Sequence, residues 1–221
     1  MSLIRDKLRG GECRLIESGR PATARETTLF GSHSIDGWPL LLSISGIAVS
    51  SSFAWGLRGH FVGEKTPGAV HVINALSVTA SAVFLFAVWK TDVPNWRRAV
   101  GFLLHLSAIS LFVWAILATR QNRPALAFAG KRPNHVFSWG PYAYIRHPFY
   151  TAYLLYWLGC VVATSSFVMV VLFVSLATIY TLAALGEERN FLRSSMRDEY
   201  EAFRNATGFF WPKLRLARRQ Q

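Results

Sequence analysis

The chain has 221 residues, of which 52% are hydrophobic and only 16% charged. A soluble domain carries about 25% charged residues, so this composition excludes an ordinary soluble globule and points to a membrane protein. The net charge is +12, but the basic residues lie outside the apolar runs, where positive loops face anionic lipid, and no recognised nucleic-acid motif accompanies them.

The leader, residues 1–37, lacks an apolar core followed by a small-residue cleavage site and does not read as a signal peptide. It is expected to be partly disordered or to lie on the surface. Cys13 sits in this polar leader and Cys160 inside an apolar run, which argues against a structural disulfide. Neither has neighbours at zinc-ligand spacing, so no metal is expected.

A helix needs about 20 mostly apolar residues to cross the hydrocarbon core. Runs of that kind cover residues 38–57, 69–89 and 99–119; a fourth opens at Pro148 or Phe149 and reaches Thr164, and a fifth covers 167–185. The first is rich in Ser and Gly, which suits close helix packing. The link between the last two runs, Thr164-Ser165-Ser166, is short and uncharged, so residues 148–185 read as a tight antiparallel hairpin. The fourth run is short enough that it need not cross fully. The expected fold is an all-α polytopic bundle of about five transmembrane helices, with an amphipathic C-terminal helix. Three parts follow in order: the leader, three spans over 38–119, and a region over 120–221. Lys and Arg total 15 over the first loop, the third loop and the tail, against nine over the leader, the second loop and the fourth. That bias puts the third loop and the tail in the cytoplasm and the N-terminus on the opposite side.

Beyond the fifth run, a spacing of about 100° per residue places Glu188, Phe191, Leu192, Ser195, Met196, Glu199 and Phe203 on one broad face. Arg189, Arg193, Arg197 and Arg204 fall mainly off it, giving a basic amphipathic helix at the interface. As first-turn acids, Glu187 and Glu188 would complement the helix dipole. Yet Glu188 falls on the apolar stripe, where an acid is costly unless something pairs with it.

The densest polar stretch is GPYAYIRHPFYTAY, residues 140–153. Pro148 suits a first helical position, with His147 as the cap. A helix N-terminus beside an Arg and a His is an anion site. Tyr142, Tyr144, Tyr150 and Tyr153 add hydroxyls and aromatic faces that attract cations. A zwitterionic ligand with a sulfonium, a carboxylate and a ribose would suit this set, with Glu187-Glu188 adding a carboxylate if the tail folds back. Interfacial Tyr, Arg and His also serve as simple membrane anchors, and the residues alone leave both readings open.

As a linked set, Gly140-Pro141-Tyr142, Arg146-His147-Pro148, Tyr150, Glu187-Glu188 and Tyr200 resemble the isoprenylcysteine carboxyl methyltransferase and phospholipid methyltransferase superfamily. The resemblance covers residues 120–212 and closes on Trp211-Pro212; the first three spans match only in being apolar. It implies a membrane-embedded methyltransferase using S-adenosylmethionine, held by the loop before the hairpin and the helix after it. Tyr142, His147, Pro148, Tyr150, Glu187 and Glu188 would contact the cofactor, with Arg146 and Glu188 as the catalytic pair. In these roles His147 and the N–H groups after Pro148 hold the methionyl carboxylate, and an acid holds the ammonium or the ribose. Arg146 orients an acceptor or braces a glutamate.

The implied partner is a lipophilic acceptor entering laterally from among the membrane lipids: an isoprenylcysteine-type carboxylate, a phospholipid amine or a small thiol. The oligomeric state is not legible. Rival readings are an NADPH-dependent sterol-reductase-like enzyme and a non-enzymatic membrane scaffold. The glutamate pair and the G-P-Y opening favour the methyltransferase. His105 and Asn74 are polar groups within spans and functional candidates for that reason, though a helix-to-helix hydrogen bond explains either equally well. Asn134 and His135 could line the cofactor mouth. Arg120, Arg123, Lys131 and Arg132 read as topology charges.

Overall fold

The computed structural model describes residues 37–60, 68–121 and 135–213. The leader with Cys13, and Arg123, Lys131, Arg132 and Asn134 in the third loop, lie outside the described residues. Among the described residues six α-helices follow in order: α1 Trp38–Gly59, α2 Gly68–Lys90, α3 Asn95–Thr119, α4 Pro148–Thr164, α5 Phe167–Leu192 and α6 Arg197–Ala206. A 3-10 turn, Gly140–Ala143, precedes α4.

Helices α1, α2, α3 and α5 are long and apolar enough to cross a membrane. Their outward faces carry large apolar side chains such as Val78, Phe86, Leu103 and Phe167, all exposed. So much exposed apolar surface is costly in water and ordinary in lipid, which supports an integral-membrane location. Helix α4 has 17 residues, which at about 1.5 Å per residue is shorter than a hydrocarbon core of about 30 Å. Its length therefore does not establish a fifth crossing. It is instead the central helix: none of its residues is exposed, and it packs against α2, α3 and α5.

The α3–α4 contact is close because two glycines face each other. A Cβ on Gly101 would meet the Gly159 carbonyl oxygen at 2.8 Å, and one on Gly159 would meet the Gly101 oxygen at 2.9 Å. Small residues that let backbones approach are how helices associate where lipid supplies no hydrophobic drive. Gly159→Leu should therefore unseat α4 and lower the thermal midpoint of the purified protein. An unchanged midpoint would contradict this packing.

The polar groups inside the bundle join helices. His105 is fully buried; its Nδ1 lies 2.9 Å from Ser45 Oγ and its Nε2 3.5 Å from Cys160 Sγ. Tyr156 OH lies 2.7 Å from Ser50 Oγ. His105 is thus satisfied between α1, α3 and α4, and the serines of α1 act as packing and hydrogen-bonding residues. Asn74 is exposed on α2.

One expectation is corrected. The continuous amphipathic helix after the fifth run is broken: α5 continues through Glu187 and Glu188 to Leu192, and α6 begins at Arg197. The Ser194 N–H donates to the Phe191 carbonyl at 3.0 Å, and Ser194 Oγ accepts from the Met196 N–H at 3.1 Å. These bonds turn the chain, and Phe191 stacks on Tyr200 with ring centroids 4.5 Å apart to fix α6 against α5. Glu187 and Glu188 consequently sit near the C-terminus of α5, where the helix dipole disfavours acids. The dipole cannot account for them.

Candidate functional site

The motif before α4 is held by the chain that follows α6. Ile145 and Gly208 form a parallel bridge. The Gly208 N–H donates to the Tyr144 carbonyl at 3.0 Å, and the Arg146 N–H donates to the Gly208 carbonyl at 2.8 Å. The His147 N–H reaches the Phe209 carbonyl at 3.4 Å, and Thr151 Oγ1 donates to the Phe210 carbonyl at 3.2 Å. The segment 207–213 is therefore a strap laid along residues 144–151, and it satisfies backbone groups that would otherwise be stranded. Pro148 opens α4 with His147 at the cap position.

On this frame the side chains of α4's entrance meet those of α5. Arg146 Nε donates to Glu188 Oε1 at 2.8 Å. Its Nη1 donates to the carbonyls of Arg204 at 3.0 Å and Thr207 at 2.6 Å. His147 Nε2 lies 3.4 Å from Glu188 Oε1 and its Nδ1 3.8 Å from Glu187 Oε2. Tyr150 OH donates to Glu187 Oε1 at 2.6 Å. Arg204 Nε approaches Glu188 Oε2 at 3.7 Å. Phe209 covers this set, with its ring 4.9 Å from the His147 ring and 5.5 Å from the Arg146 guanidinium carbon.

The two acids differ. The Glu188 side chain is only 6% exposed and faces two arginines and a histidine, whereas that of Glu187 is 36% exposed. Opposite charge at hydrogen-bonding distance favours the ionised carboxylate, so Glu188 is a fixed structural anion and Glu187 is the reachable one. Tyr200 is buried beside Glu188; burial, then that carboxylate, holds its phenol well above the usual range and therefore neutral. Tyr142 is buried among Phe112, Ala115, Phe149 and Ala152. Burial first, then Glu187 and Tyr153, keep its phenol neutral too.

Arg146, His147, Tyr150, Glu187 and Glu188 thus come together in one cluster. Tyr142 lies under it in an apolar setting, and Pro148 is buried at the head of α4. His135 is apart, packed with the rings of Phe137 and Trp139 at 4.9 and 5.3 Å. Among the described residues no group of three metal-ligating side chains forms. Sequence reasoning missed Arg204, Thr207, Gly208 and Phe209 as parts of the site. The one signal for them is a glycine placed between the basic helix and two phenylalanines.

A phospholipid methyltransferase family model matches residues 96–199. The chain carries a domain of this methyltransferase superfamily. The phospholipid methyltransferase domain runs from α3 into α6 and contains every member of the Arg146–Glu188 cluster except Arg204 and the strap. It supports S-adenosylmethionine-dependent methyl transfer in general terms. No curated protein and no solved structure matches the chain.

Proposed function

We propose that this protein transfers a methyl group from S-adenosylmethionine to a lipophilic acceptor at the Arg146–Glu188 cluster, with an isoprenylcysteine-type carboxylate or a related lipid as the acceptor class. The observation that carries this reading is the joining of Arg146, His147 and Tyr150 to Glu187 and Glu188 at one end of an apolar bundle. A scaffold has no need to bury an acid there and then surround it with cations.

The residues suit the cofactor's charges. Glu187, reachable and steadied by Tyr150, is the group for the ammonium or the ribose hydroxyls. The positive end of α4, behind Pro148, favours the methionyl carboxylate. Because both ring nitrogens of His147 turn toward the glutamates, His147 is assigned to holding those acids in place as well as to the cofactor. S-adenosylmethionine supplies a methyl group on a sulfonium, which leaves as the neutral thioether.

Methyl transfer is an in-line displacement, so the chain's part is to position and to exclude water. Arg146 braces Glu188, Phe209 and the strap cover the cluster, and Tyr142 and Tyr150 provide an apolar but hydroxyl-tipped floor. A carboxylate acceptor needs no base. We place this end of the bundle in the cytoplasm, on the strength of its basic loop and tail, with five crossings including α4.

Incubating membranes with methyl-labelled S-adenosylmethionine and identifying the labelled product tests the reading. Label in no lipophilic product, or binding of NADPH in place of S-adenosylmethionine, would remove it. Tyr150→Phe, which loses the 2.6 Å bond to Glu187, should raise the cofactor KM about tenfold, the cost of a hydrogen bond to a charged group. An unchanged KM would detach Glu187 from cofactor binding.

A further inference from the structure

The strap that seals the site also bounds a second space. A cavity of about 460 Å³ opens between α5, α6 and the strap, and its walls include Arg146, Leu192, Glu201, Arg204, Phe209 and Lys213. His147, Tyr150 and Glu187 do not line it, so it is distinct from the contacts assigned to the cofactor. We infer that this cavity binds a phosphate group.

Among the described residues three cations line the cavity against one acid, and that acid is engaged elsewhere: Glu201 accepts from Arg197 Nε at 3.0 Å. Each cation has donors to spare. Arg146 uses Nε and Nη1 for Glu188 and two carbonyls, and Nη2 makes no hydrogen bond among the described residues. Arg204 Nε at 3.7 Å from Glu188 Oε2 is beyond hydrogen-bonding distance, and its side chain is half exposed. Lys213 Nζ gives one hydrogen to the Asn205 carbonyl at 2.7 Å, and an ammonium has two more.

Charge-assisted bonds from arginine and lysine are the usual grip on a phosphate, arginine as a fork and lysine as a point charge. Leu192 and Phe209 add apolar wall, which keeps the cations from full solvation. The volume falls within the about 300–1,000 Å³ of ordinary ligand pockets, enough for a phosphate and the group attached to it. The cavity lies beyond the apolar part of α5 and close in sequence to Trp211, whose side chain is 74% exposed. That is a headgroup depth, so a lipid phosphate and a free phosphate are both chemically suitable sources.

The test uses the full chain in maltoside detergent micelles, which contain no phosphate, and reads the thermal midpoint from tryptophan fluorescence. One arm titrates inorganic phosphate against chloride at equal ionic strength. The other adds phosphatidylglycerol to the micelles. A saturable rise is expected in at least one arm: in the lipid arm alone if a headgroup is the ligand, in both if any phosphate serves. Lys213→Gln should weaken the response about tenfold, and Lys213→Arg should keep it. No rise beyond chloride in either arm, or the same response in Lys213→Gln, would overturn the inference. Methyl transfer is not read, so this result is independent of the proposed activity.

Discussion

Glu188→Ala and Arg146→Ala are each expected to lower methyl transfer by about 100-fold or more, the order of loss caused by a shift of about 1 Å in a reacting group. Both proteins should still insert into membranes, because the pair lies at the polar end of α5, outside the apolar run 167–185 that drives insertion. Glu188→Ala leaves Arg146, His147 and Arg204 converging on an empty position. Arg146→Ala leaves a buried carboxylate with weaker partners and frees the carbonyls of Arg204 and Thr207. Breaking a buried pair by removing one member costs about 3–5 kcal/mol, so activity must be normalised to folded protein.

The double variant distinguishes a shared role from two separate ones. If Arg146 acts by bracing Glu188 across their 2.8 Å bond, the double loss should barely exceed the worse single loss. Arg146→Lys should recover little, since an ammonium cannot reach the glutamate and two carbonyls in the geometry of a guanidinium. Full activity in both single variants, measured with methyl-labelled cofactor, would remove the assignment.

The hairpin was legible for a simple reason. Hydrocarbon demands a run of apolar residues, and Pro148 and the uncharged Thr164-Ser165-Ser166 punctuate two such runs; α4 and α5 begin where that punctuation puts them. Periodicity failed one turn later. The 100° pattern persists from Glu188 to Phe203, but it cannot register that Ser194 bonds locally and turns the chain, so two helices read as one. The face is real even though the helix is not continuous. The cost of a bare acid on that face was also legible, and it called for a partner without naming which cation supplies it. Backbone pairing of Ile145 with Gly208 leaves no hydrophobic or charge pattern at all. For that reason Arg204 and the strap, which complete the surroundings of Glu188, had only the glycine at 208 to mark them in the sequence.

Gly208→Ala tests the strap directly, because the clash it creates is with backbone. A Cβ at Gly208 would collide with the Trp211 carbonyl oxygen and stand 3.0 Å from the Lys213 nitrogen. Both atoms belong to the strap's own backbone, so the turn over residues 208–213 must change shape. Reshaping it disturbs the 3.0 Å bond to the Tyr144 carbonyl and the 2.8 Å bond from the Arg146 N–H. It also withdraws the Thr207 carbonyl that holds Arg146 Nη1 at 2.6 Å. Each hydrogen bond contributes about 1 kcal/mol net, so the strap is held by a few such bonds and one steric fault can release it. Arg146 would keep Glu188 but lose part of the frame that fixes its guanidinium. Activity should fall about tenfold or more, short of the Arg146→Ala loss. Adding Gly208→Ala to Arg146→Ala should cost little further if the strap works through that arginine. Amide hydrogen exchange at Arg146 should speed up in Gly208→Ala, while exchange in α1–α4 stays as before. An Ala variant that keeps both full activity and a protected Arg146 amide would show that the strap does not hold the site.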